Sequence, residues 1–103
     1  MNKYMIYRAP KQVDRDLGKH ELVGVEYGED IYTATDALIR AVCDDLSGNP
    51  EYSGSEVYAY APEPMQPFHR TKRYQFYMTG VVSPAYAEEN TLVDYGVIET
   101  AAC

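Results

Sequence analysis

"TATDALIRAVCDDLSGNP", residues 33–50, decides how the rest of the chain must be read. Ala34, Ala37, Leu38, Ala41, Val42 and Leu46 recur at the three- and four-residue spacing that gathers side chains on one face of a helix. Thr33 has an N-cap side chain, with Asp36 three positions later in capping-box spacing. Gly48 offers a C-terminal stop, and Pro50, which has no N–H, forbids continuation. The apolar stripe is narrow and rich in Ala, so the helix can lie close against a sheet. Asp36, Asp44 and Ile39 are expected outside the stripe and Asp45 at its margin. Asp44 and Asp45 fall in the last turn, where the helix dipole is negative; each costs about 0.3–1 kcal/mol there if exposed. Nothing near them in sequence explains why they are tolerated.

On both sides of this helix the hydrophobic period changes to two. "KYMIYR" (3–8) puts Tyr4 and Ile6 on one face and Met5 and Tyr7 on the other. "ELVGVEY" (21–27) places Val23, Val25 and Tyr27 together. "SEVYAYAP" (55–62) sets Val57, Ala59 and Ala61 against Glu56, Tyr58 and Tyr60. "RYQFYMTGVV" (73–82) is expected to be the longest and central strand, with Tyr74, Phe76 and Met78 opposite Tyr77, Thr79 and Val81. "TLVDYGVIET" (91–100) aligns Val93, Tyr95 and Val97. Residues 10–20 and 83–90 read as loops, "AAC" as a frayed tail, and the three prolines within 61–69 as a stiff exposed loop. Strands in runs around one helix predict an α+β fold. The expectation is a small antiparallel sheet of about five strands, order ββαβββ, with one helix packed on one face, in a single domain over residues 1–103. One helix of about four turns cannot cover such a sheet, so the uncovered face predicts a homodimer.

Composition narrows the function. The net charge is −7, the apolar fraction 46%, and there are 11 Tyr, 2 Phe and no Trp. That much apolar residue supports a packed core, and Tyr suits half-buried sheet faces and interfaces alike. Residues 21–68 hold ten acidic side chains against Arg40 alone, whereas the stretches on either side, 1–20 and 69–73, are each net basic. Such a surface repels phosphates, which argues against direct nucleic-acid binding and suits a protein partner with a basic surface. No apolar run is long enough to span a bilayer, and the N-terminus has no signal-peptide core, so the expected location is cytoplasmic with no membrane contact.

Reactive chemistry is sparse. The chain has no nucleophile elbow, phosphate-cradling loop or His-Glu-x-x-His, and its two His and two Cys are scattered without metal-ligand spacing. Cys43 lies mid-helix among Ala and Val, the setting of an inert thiol. The expectation is no enzyme, no cofactor and no metal. A working protein-binding surface is then assigned to Asp36, Asp44, Asp45, Glu51 and Glu56. A rival site is the basic, aromatic stretch His69, Arg70, Lys72, Arg73 and Tyr74, which suits a nucleotide or other phosphorylated compound. The plainer reading of that stretch is a charged sheet margin, or a basic segment docked on the acidic helix end. A third possibility is a structural subunit of a larger assembly. In composition alone, the profile is similar in kind to small inhibitors and accessory proteins of phages and mobile elements, which occupy a partner's nucleic-acid site with acidic side chains.

Overall fold

Tyr4 and Ile6, two residues apart in strand β1 (Asn2–Arg8), have no exposed surface, whereas Met5 between them and Tyr7 after them are half-buried. The strand therefore directs its period-two pattern at a helix on one side only. A computed structural model describes residues 1–10, 20–64, 74–86 and 88–101. Its elements run β1, β2 (Glu21–Gly28), α1 (Ile31–Ser47), a single 3₁₀ turn at Pro50–Tyr52, β3 (Glu56–Ala59), β4 (Glu63–Pro64), β5 (Phe76–Ser83) and β6 (Thr91–Ala101). Every strand pairing is antiparallel, in the order β2-β1-β6-β5-β3, with β4 beside β5 on the same edge as β3. This is an α+β fold with one helix on one face of the sheet.

Ala34, Leu38, Val42 and Leu46 of α1 are buried against Tyr4, Ile6, Met78, Val82, Tyr95 and Val97 of the sheet. The Ala-rich stripe does bring the helix close. A Cβ placed on Gly28 of β2 would sit 2.9 Å from the Ala34 Cβ, so helix and strand touch through their two smallest residue types. Val25 and Tyr27 of β2 turn to the far face and are exposed. A register shift in the β1–β2 ladder between Ile6 and Tyr7 leaves Val23 packed on the core, so the three do not share one environment. Ile39, expected to point outward, packs against the core as well.

The helix begins earlier than its apolar stripe suggests. Asp30, not Thr33, is the N-cap: its Oδ1 accepts from the Thr33 N–H at 2.8 Å, and Thr33 Oγ1 accepts from the Asp30 N–H at 3.1 Å. The capping box is thus Asp30–Thr33, and Asp36 stands in the second turn, exposed. Asp30→Ala is expected to cost about 1 kcal/mol, and Asp30→Ser almost nothing, as read from urea midpoints. Equal midpoints for wild type and Asp30→Ala would remove the box from the account. At the other end the Gly48 N–H donates to the Asp44 carbonyl at 3.0 Å, and Asn49 caps the 3₁₀ turn that Pro50 opens.

The longest and central strand is β6, flanked by β1 and β5, and not the segment 73–82. β5 begins only at Phe76. Local period two cannot order strands; here the N-terminal strand inserts between β2 and β6, and that long-range pairing makes β6 central. The segment 55–62 is likewise shorter than its pattern. It pairs over Glu56–Ala59 and resumes at Glu63–Pro64, on either side of Pro62, which has no N–H to offer a ladder. Residues 11–19 of the loop expected over 10–20 and the basic residues His69, Arg70, Lys72 and Arg73 lie outside the described residues, as does Cys103.

Candidate functional site

The five acidic residues assigned from the sequence do not form one patch. Asp36 and Asp44 are exposed on the outer side of α1, with Arg40 between them along the same line of the helix. Glu51 lies in the 3₁₀ turn just beyond the helix end and is exposed. Glu56 is on the opposite surface of the protein. Val57 and Ala59 of β3 pack under the helix, so strand alternation turns Glu56 and Tyr58 to the far face.

Asp45 is committed to the chain's own structure. Its Oδ1 accepts from Arg8 Nη1 at 2.7 Å and its Oδ2 from the Tyr95 hydroxyl at 2.6 Å, and only 14% of its side chain is exposed. Arg8 is forked, its other terminal nitrogen donating to Glu21. This explains how an acidic residue is tolerated in the last helical turn: a guanidinium from β1 supplies the cation that the dipole prefers. Among the described residues Arg8 neutralises this helix end; the 69–73 stretch, one reading of which docks it there, lies outside them. The signal lay in the β1 alternation, since Arg8 follows Tyr4 and Ile6 on the inward side. Glu99 continues Tyr95 and Val97 in the same way, and accepts from the buried Tyr4 hydroxyl at 2.6 Å. Burial first, then this hydrogen bond, raises the Tyr4 pKa.

Arg8, Asp44, Asp45, Gly48, Asn49 and Pro50 line an open depression of about 470 Å³ beside the helix end. Small-molecule sites are enclosed and mostly apolar. This one is open and polar, and its only cation among the described residues is already held by two carboxylates, which makes it a poor anion site.

Tyr74, the one described residue of the rival ligand-binding stretch, is 5% exposed. Its ring lies over Gly96, where an added Cβ would approach within 2.6 Å of it, with the His20 ring 5.1 Å and the Tyr7 ring 5.8 Å away. A ring packed on three sides offers little surface for a stacked base; it anchors the chain to the face of the sheet away from the helix. Cys43 is half-buried, and desolvation followed by the neighbouring Asp44 charge raises its pKa, which keeps the thiol protonated. Among the described residues no group of three or more His, Cys, Asp or Glu side chains is placed to hold a metal ion. No described helix is long and apolar enough to cross a membrane.

The assigned site residues include none of the exposed tyrosines. Tyr27, Tyr32, Tyr58, Tyr60 and Tyr86 are all exposed, and Tyr58 and Tyr60 meet edge to face with centroids 6.0 Å apart. The alternation of 55–62 separated Tyr58 and Tyr60 from the inward residues, but the pattern had no means of showing that their side stays uncovered. No protein-family model, no curated protein and no solved structure matches the chain.

Proposed function

We propose that the protein is a non-enzymatic, acidic binding module that meets a basic protein partner, in the manner of the small cytoplasmic inhibitors that compete with nucleic acid for such a partner. The observation that supports this reading is the placement of its charge. Asp36, Asp44, Glu51 and Glu56 are exposed, while Asp45, one of the two acids in the last helical turn, is neutralised from within. The fold thus absorbs one of the two acids that oppose the helix dipole and leaves the other four assigned acids exposed. Association with a basic surface is then fast and steeply weakened by salt.

The test is competition. The purified protein is immobilised and challenged with the heparin-retained proteins of a cell lysate, and a captured protein is then eluted with duplex DNA. A captured DNA- or RNA-binding protein that DNA or raised salt releases, and that no longer binds DNA when the module is present, is the expected result. Capture indifferent to both salt and DNA would sink the reading.

A homodimer is the second reading, favoured by Leu22, Val25 and Tyr27, which are exposed on strand β2 at the margin of the sheet. Light scattering that returns the monomer mass at every concentration removes it.

A further inference from the structure

We infer that the far face of β3, β5 and β6 is a docking surface for an arginine-bearing segment of the partner protein; this rests on the acidic-module reading and names the surface and the chemistry it recognises. The strand register lays the patch out in rows. Tyr58 pairs with Val81 and Val81 with Leu92; the Tyr60 N–H donates to the Thr79 carbonyl at 3.0 Å, and Thr79 pairs with Asp94. All six lie on the side away from α1, with Glu56 at the upper margin beside Tyr58. Val81 is 1% exposed and forms the floor, while Tyr58, Tyr60 and Leu92 stand above it at 43%, 57% and 65% exposure.

Two observations choose the occupant. Residues 56–64 and 74–101, which supply β3 to β6, contain six Asp or Glu and no Lys or Arg; the basic residues between these segments, Arg70, Lys72 and Arg73, lie outside the described residues. Glu56 and Asp94 flank the tyrosines, and Glu88 and Glu89 are exposed in the connection leading into β6. A second copy docking by the same patch would set like charge on like charge in a two-fold contact, which disfavours self-association here. The aromatic component selects arginine among cations. A planar guanidinium stacks on a tyrosine ring and still donates two parallel hydrogen bonds to a carboxylate, whereas an ammonium has neither a flat face to stack nor a fixed pair of donors. In an edge-to-face pair such as Tyr58–Tyr60, at least one ring keeps an outward face. The mode of docking also follows. The outer edge is short and interrupted at Pro62, so a partner segment lies across the face and does not extend the sheet.

The experiment titrates the full chain, labelled with ¹⁵N, with nona-arginine and nona-lysine peptides, and repeats the calorimetric affinity on three double variants. Expected are amide shifts on β3, β5 and β6, tighter binding of the arginine peptide by several-fold, and an affinity loss of tenfold or more in Tyr58→Ala/Tyr60→Ala. Glu56→Gln/Asp94→Asn, which preserves shape, is expected to lose a similar factor and keeps the test decisive if the tyrosine variant does not fold. Asp36→Asn/Asp44→Asn on the helix, which removes charge but leaves the stacking rings in place, is expected to weaken both peptides alike and by no more than a few-fold. Shifts on α1, with loss only in the helix variant, would overturn this surface while leaving the acidic-module reading intact. Binding of neither peptide would overturn both. A fall in sedimentation coefficient on Tyr58→Ala/Tyr60→Ala would assign the face to a second copy and overturn the proposal.

Discussion

Gly80→Val is expected to destabilise the protein by about 3 kcal/mol. Gly80 lies in β5 with no room above it. A Cβ there would come to 2.8 Å from Leu46 Cδ1 and 3.1 Å from both Val42 Cγ1 and Tyr95 Cε2. Those three side chains are themselves 1%, 0% and 2% exposed, so none can swing into solvent to make way. Valine adds two methyl groups beyond that Cβ and forces the C-terminal half of α1 off the sheet. Its better strand propensity, and the unfolded-state entropy that glycine forfeits, return up to about 1 kcal/mol each, which does not change the sign. Denaturant unfolding measures the loss. A double-mutant cycle identifies its cause: Leu46→Ala costs about 2–5 kcal/mol alone, but its cost is expected to shrink sharply in the Gly80→Val background, where it opens the space the valine needs. Additive costs, or a Gly80→Val protein as stable as wild type, would show that the helix does not press on β5 as described.

Asp45→Ala is expected to cost about 2 kcal/mol. The main loss is the acceptor of the Tyr95 hydroxyl, a residue 2% exposed; a buried donor left unpaired costs about 1–3 kcal/mol. Arg8 contributes less, because it is partly exposed and keeps Glu21. Relief of an acidic side chain at the helix C-terminus returns some tenths. Asp45→Asn retains an acceptor and is expected to recover about half the loss. The same contact has an alkaline signature. Burial first, then the hydrogen bond to Asp45, raises the Tyr95 pKa well above its ordinary value. The folded state therefore holds this proton more tightly than the unfolded state. Its stabilisation is complete below about pH 10 and is lost as pH rises beyond it, at about 1.4 kcal/mol per pH unit for one proton. Unfolding free energies measured from pH 9 to 11.5 are expected to fall less steeply for Tyr95→Phe than for wild type. Parallel slopes would mean that Tyr95 titrates alike in both states.

Of the assigned surface, the exposed acids Asp36, Asp44, Glu51 and Glu56 were legible as charges but not as places. Asp36 and Asp44 ride the helix, while Glu56 emerges on the other side of the sheet because β3 turns Val57 and Ala59 inward. The tyrosine patch beside Glu56 went unassigned because a period of two separates two faces without saying which one a helix will cover.

Local chemistry alone determined the single helix with its stripe Ala34, Leu38, Val42 and Leu46, the inward pairs Tyr4–Ile6 and Tyr95–Val97, and the α+β class, because periodicity acts within a few residues of chain. Tertiary structure decided that β6 is central, that Asp45 belongs to Arg8 and Tyr95, and that Tyr58, Tyr60 and Leu92 share one uncovered face. The physical reason is range. Strand order and ion-pair partners are set by free energies between segments tens of residues apart, such as Arg8 and Asp45 or Val81 and Leu92, and these exist only once the sheet has closed around β6.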